Sequence, residues 1–66
     1  MKRKEIKALA KKIAHNELIL QNPNSSKKQV ELAKKEINNL ISNGVKDFKD
    51  IDAVDEAVQD ILNKKI

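Results

Sequence analysis

The sequence lacks cysteine and has a single histidine, His15, so neither a disulfide nor a metal site built from these residues is expected. It also has one glycine, one proline and one aromatic residue, Phe48. No apolar run is longer than three residues, the length of Leu18–Leu20, so the chain offers no transmembrane segment and no signal-peptide core. These absences predict a cytoplasmic protein that is stabilised by the packing of apolar helix faces alone.

The most informative stretch runs from Ser26 to Gly44. Ser26 and Gln29 have the Ser-x-x-Gln spacing of a capping box, and Gly44 stands where helices commonly end on a left-handed residue. Between these signals, apolar residues recur every three or four positions, at Val30, Ala33, Ile37, Leu40 and Ile41. The pattern predicts a helix over about 26–43 that occupies the centre of the fold.

Two further amphipathic segments flank this helix. The first spans about 2–21 and carries Ile6, Leu9, Ala10, Ile13 and Leu20, with Ala14 at the edge. It ends before Pro23, since the residue before a proline is disfavoured in helical geometry. The second spans about 47–64, with Asp47 or Asp50 as the cap, Phe48 at its entrance and a stripe of Ile51, Val54, Val58, Ile61 and Leu62.

Three helices of similar length joined by short loops predict one all-α domain over 1–66, a small up-down-up three-helix bundle. The alternative is a helical hairpin with a detached third helix. The third segment has as strong an apolar stripe as the other two, and this favours the bundle.

Charge is unevenly distributed, with +4 in residues 1–21, +2 in 22–44 and −2 in 45–66. The first segment carries Lys4, Lys7, Lys11 and Lys12, which predict a basic patch that binds phosphate in a nucleic-acid- or ribosome-associated accessory protein. Two alternatives stay open. The terminus frays in solvent, or the lysines face the acidic third helix, which runs parallel to the first in this topology. Aspartates at the start of the third helix argue against a DNA-reading helix-turn-helix.

Catalytic chemistry has little support in the sequence. No His, Cys or carboxylate grouping has the spacing of metal ligands, and His15 is expected to be exposed. There is no nucleophile paired with a base and no glycine-rich phosphate loop. A bundle of this size also has little room for a concave substrate pocket. We therefore expect no enzyme activity, no cofactor, no membrane association and no small-molecule substrate.

Three apolar residues lie off the helical stripes, and they suggest a binding surface. Leu18 and Ile19 fall on opposite sides of the first apolar face, and Leu32 lies about 140° from Ile37 on the helical wheel. Ile19 and Leu32 are both near the first loop, which places them at one end of the helical hairpin. The alternative is that the helix loosens before Pro23, or that two-sided packing widens the buried arc.

These observations predict a small non-catalytic interaction module. It binds another protein or itself through an apolar patch of Leu18, Ile19 and Leu32 at the hairpin end. Glu17, which falls inside the apolar arc of the first helix, is expected either to border this surface or to pair with Lys34.

Overall fold

The computed structural model describes residues 2–64, so Met1, Lys65 and Ile66 of the predicted domain lie outside the described residues. Helix α1 spans Arg3–Gln21, α2 spans Lys27–Gly44 and α3 spans Phe48–Lys64. Each bound lies within one residue of the predicted bound. The prediction of an all-α, three-helix bundle is confirmed, because α1 packs against both α2 and α3.

The predicted capping box begins α2. The Ser26 hydroxyl accepts the backbone N–H of Gln29 at 3.1 Å, and the Gln29 side-chain oxygen accepts the backbone N–H of Ser26 at 2.8 Å. These two bonds satisfy donors that an uncapped helix start leaves free. The local signal in the sequence therefore sets where α2 starts.

The prediction for Gly44 is wrong. No glycine of residues 2–64 has a positive φ, and α2 continues through Gly44 to an extended Val45. A Cβ atom on Gly44 would lie 3.1 and 3.2 Å from the two Cδ atoms of Leu9, closer than ordinary van der Waals contact. Gly44 therefore lies at a close approach of α1 to α2, where a Cβ atom would fit only if the Leu9 side chain shifted, and it does not form a left-handed turn.

The loop between α1 and α2 is held by local hydrogen bonds. The Asn22 side-chain oxygen accepts the N–H of Asn24 at 3.0 Å, which closes an Asx turn. The Ser25 hydroxyl donates to the carbonyl of Ile19 at 2.7 Å, so the loop is tied to the last turn of α1. A connection this short and this well bonded fixes how the two helices meet at the hairpin end.

The core is organised around α1, and not around α2 as the sequence suggested. Helices α2 and α3 both pack on α1, but they touch each other at few residues. The main buried cluster draws most of its members from α1 and α3, namely Leu9, Ala10, Ile13, Ala14, Val45, Val54, Val58 and Leu62. From α2, Ala33 is buried, while Ile37, Leu40 and Ile41 are half-buried against the cluster.

The start of α3 departs from its predicted stripe. Ile51, which was expected in the apolar stripe, is 37% exposed, and Phe48 at the entrance of the helix is 86% exposed. Because α2 and α3 touch at few residues, no neighbouring helix covers the first turn of α3. Of the two candidate caps, Asp47 accepts the N–H of Lys49 at 3.3 Å, whereas Asp50 lies inside the helix.

Candidate functional site

Ile19 and Leu32 line the same open depression between α1 and α2. Ile19 lies in the last turns of α1, and Leu32 lies in the second turn of α2. The depression has a volume of about 600 Å³. We call it the hairpin-end depression, and its lining residues are Lys11, Lys12, His15, Asn16, Ile19, Gln29, Leu32, Ala33 and Glu36.

The structure brings together two of the three residues predicted to bind a protein. Leu32 is 58% exposed and Ile19 is half-buried beside it in the depression. Leu18 is half-buried against the main core cluster, away from this surface. Helix α1 stays regular up to Gln21, so successive residues point in directions about 100° apart. That rotation separates Leu18 from Ile19.

Asn16 and Ala33 are the buried residues of the hairpin-end depression. The Asn16 side-chain nitrogen donates to the Lys12 carbonyl at 3.0 Å, which satisfies this polar group inside its own helix. Sequence reasoning missed the burial of Asn16. Its position, three residues after Ile13 and four before Leu20, puts it on the apolar face and was the available signal.

The four lysines proposed to bind phosphate are all exposed, but they lie on two sides of α1. Lys7 and Lys11 lie beside Asp60 and Lys64 in a shallow cleft between α1 and α3. Lys12 lies on the α2 side, where it borders the hairpin-end depression together with Glu36, and Lys11 borders both the depression and the cleft. Phosphate binding by Lys4, Lys7, Lys11 and Lys12 stays a prediction.

Two carboxylates near the start of α3 line a different feature from these lysines. Asp52 and Asp55 border a groove that also contains Glu17 and Ile13 of α1. Of the third-helix carboxylates, Asp60 is the one that shares a cleft with Lys7 and Lys11. The alternative in which the lysines face the acidic third helix therefore stays open, with Asp60 as the carboxylate near Lys7 and Lys11.

Sequence reasoning also missed the groove itself, which we call the α2–α3 groove. It exists because α2 and α3 pack on α1 without closing on each other. Its apolar lining is Ile13, Ile37, Ile41, Val45, Ile51, Val54 and Val58, and its polar lining is Glu17, Asp52, Asp55 and Gln59. Glu17 thus borders an apolar surface, one of its two expected roles, but the surface is this groove and not the hairpin end.

Comparison of the chain with protein-family models, with curated proteins and with solved structures finds no match. Across residues 2–64, no helix has the length and apolar character needed to cross a membrane. Within the same range, no three His, Asp or Glu side chains form a group that could hold a metal ion. The function must therefore be argued from the surfaces described above.

Proposed function

We propose that this protein is a small non-catalytic interaction module that binds another protein through the hairpin-end depression. The observation that carries the proposal is the exposure of Leu32, which is 58% accessible and lies beside Ile19. Full burial of a leucine side chain contributes roughly 1.5–3 kcal/mol, and the exposed Leu32 provides only part of this to folding. A partner that covers Leu32 gains the remaining free energy of burial on binding.

The charges around the depression favour a partner of a particular kind. Lys11 and Lys12 border one side, and Glu36 is the acidic lining residue. Polar rims around an apolar centre are typical of protein interfaces, and charge complementarity raises the rate of association. The partner surface is therefore expected to present an apolar side chain flanked by carboxylates.

The form of the depression favours a protein over a small molecule. Small-molecule sites bury most of their ligand in a concave pocket lined by converging polar groups. The hairpin-end depression is open to solvent, and the one buried polar side chain in its lining, Asn16, already donates to the Lys12 carbonyl. An open apolar depression of this type is suited to a contact with the surface of another protein.

Site-specific photo-crosslinking in the cells that make the protein tests this proposal. A photoreactive residue replaces His15, which is exposed and borders the hairpin-end depression, or Gln59, which is exposed and borders the α2–α3 groove. We expect the position-15 protein to form an adduct with a different protein, and the position-59 protein not to form that adduct.

The substitution Leu32→Asp provides the second arm of the test. It places a charge on the proposed contact surface, and we expect it to abolish the position-15 adduct while the helical circular dichroism spectrum is unchanged. Identical adducts from both positions, or an adduct that survives Leu32→Asp in a folded protein, would contradict the proposal. An adduct of position 15 with a second copy would identify the partner as the protein itself.

A further inference from the structure

Phe48 is the sole aromatic residue of the chain and the most exposed of its large apolar side chains in the described range. It is the first residue of α3 and is 86% exposed, and Ile51 lies one turn later on the same side of the helix. A phenylalanine in water forgoes the stabilisation that burial would provide. Nothing in the packing of the three helices uses this side chain.

The α2–α3 groove adjoins Phe48. Val45 and Ile51 line both the groove and the small hollow beside Phe48, so the two features form one continuous apolar surface. The groove has a volume of about 190 Å³, which is below the roughly 300–1,000 Å³ of small-molecule pockets. A space of this size suits one or two inserted side chains.

Carboxylates border the groove, whereas the residues around Phe48 are two lysines and two aspartates, Lys46, Asp47, Lys49 and Asp50. Glu17, Asp52 and Asp55 border the groove, and no Lys, Arg or His of residues 2–64 is part of its lining. Phe48 is flanked by the exposed Lys46 and Lys49. The acidic neighbour Asp47 accepts the Lys49 N–H at 3.3 Å as part of the start of α3. We call Phe48 with Lys46 and Lys49 the Phe48 knob.

We propose that a second copy of this chain occupies the groove, with the Phe48 knob of each copy inserted between α2 and α3 of the other. A twofold dimer uses the same patch on both subunits, so a self-complementary surface must contain both the knob and its receptor. Here the two features adjoin, and the exposed Lys46 and Lys49 of the knob are suited to pair with the carboxylates that border the groove. This proposal does not depend on the hairpin-end depression, which stays free in such a dimer.

Sedimentation equilibrium over about a thousandfold range of protein concentration tests the dimer. We expect a monomer–dimer equilibrium in the wild-type protein and a rise of at least about tenfold in its dissociation constant for Phe48→Ala, because buried aromatic anchors dominate interface energies. The matched control is Leu32→Ala, which removes an exposed apolar side chain outside the groove and is expected to change the constant less than about twofold.

A protein that stays monomeric at every concentration would overturn the proposal, as would a dimer that Phe48→Ala leaves intact or that Leu32→Ala weakens equally. A dimer that Leu32→Ala weakens would place self-association at the hairpin end. The proposed function is tested separately, by the position-15 adduct with a different protein, so its failure and the failure of the dimer are distinguishable.

A charge-exchange experiment tests the geometry of the dimer. One variant carries Asp52→Lys and Asp55→Lys at the groove, and the other carries Lys46→Glu and Lys49→Glu at the knob. Each variant alone sets like charges against each other, so we expect both to dimerise at least about tenfold more weakly than wild type. Mixed in equal amounts, they restore opposite charges at both contacts, and we expect a heterodimer.

Circular dichroism establishes that each variant is folded before it is mixed. If the variant with Asp52→Lys and Asp55→Lys is unfolded, Asp52→Asn with Asp55→Asn replaces it. We then expect a dimer that is weaker than wild type and less sensitive to salt. A mixture that associates no better than either variant alone, or a neutral groove that leaves both the dimer and its salt dependence unchanged, would overturn the proposed arrangement.

Discussion

The contact between α1 and α2 and the boundary between α2 and α3 show different kinds of helix packing. Toward α2, small residues allow close approach, with Ala33 buried and Gly44 lying directly against the side chain of Leu9. The boundary between α2 and α3 has no such contact, and a groove remains there with Ile37 and Ile51 along it. The first interface is in close contact at Gly44 and Ala33, and it has one open depression at the hairpin end and another that Leu9 and Leu40 line. At the boundary between α2 and α3, the two helices touch at few residues, and the α2–α3 groove lies between them.

The two surfaces also differ in charge, and this difference bears on what each can bind. Lys11 and Lys12 border the hairpin-end depression, whereas Glu17, Asp52 and Asp55 border the α2–α3 groove. The chain packs α2 and α3 on α1 but leaves Leu32 of α2 and Phe48 and Ile51 of α3 exposed. It therefore exposes two apolar surfaces, and their opposite charges favour different occupants.

The largest expected loss of stability comes from a charge placed at a buried residue of the α2–α3 groove, and the comparison is a charge placed at the hairpin end. Val58 is buried in the core cluster, so Val58→Asp places an unpaired carboxylate in an apolar site and is expected to unfold the protein. Stability for a bundle of this size is roughly 3–5 kcal/mol, about what such a substitution removes. Leu32→Asp, at an exposed position, is expected to leave the thermal unfolding curve nearly unchanged.

Thermal unfolding followed by circular dichroism measures both variants in parallel. If Leu32→Asp unfolds the protein at every concentration, Leu32 belongs to the core and the contrast between the two surfaces fails.

A second prediction tests the close approach of α1 and α2. Gly44→Val is expected to reduce the free energy of unfolding by about 1–2 kcal/mol, because even a Cβ atom there lies 3.1 Å from a Leu9 methyl carbon and valine adds two more carbons. Helix propensity alone predicts that Gly44→Val increases the free energy of unfolding, since valine is a better helix former than glycine. Ser42→Val, at an exposed position of the same helix, is the matched control and is expected to be nearly neutral.

Urea denaturation gives the free energies for this pair. A Gly44→Val protein that is more stable than wild type would show that Leu9 moves aside at little cost and that α1 and α2 are not held close by the glycine.

The features that the sequence predicted correctly are encoded locally. The capping box of Ser26 and Gln29 and the helical spacing of Val54, Val58 and Leu62 depend on residues within a few positions of one another. The exposure of Phe48 was not predictable in this way. It depends on the distance between α2 and the start of α3, and the apolar stripes of the two helices do not determine that distance.

Gly44 and Leu18 illustrate the same limit. A glycine near a helix end suits both a left-handed cap and a close helix contact, and only the position of Leu9 distinguishes the two. For the candidate site, the wheel placed Ile19 and Leu32 off their stripes and near one loop, and the structure puts them in one depression. The helical wheel could not place Leu18, since it does not show on which side of α1 the third helix packs.

A third prediction divides the lysines of α1 into two pairs. Lys11→Gln with Lys12→Gln removes the charges that border the hairpin-end depression, and we expect a fewfold loss of the position-15 adduct, as for charges at the rim of an interface. Lys4→Gln with Lys7→Gln is the matched control and is expected to have no effect. An equal loss from both pairs, with binding that falls steeply as salt rises, would instead favour the phosphate-binding alternative.

The smallest expected effect concerns the largest apolar side chain on the surface. At concentrations where the protein is monomeric, Phe48→Ala is expected to change the free energy of unfolding by less than about 0.5 kcal/mol, since the side chain is 86% exposed. Leu62→Ala, in the buried cluster, is the comparison and is expected to cost about 2–5 kcal/mol. Urea denaturation at low protein concentration measures both. A loss of more than about 1 kcal/mol for Phe48→Ala would mean that Phe48 packs onto its own subunit, and the aromatic side chain would then be unavailable to a second copy.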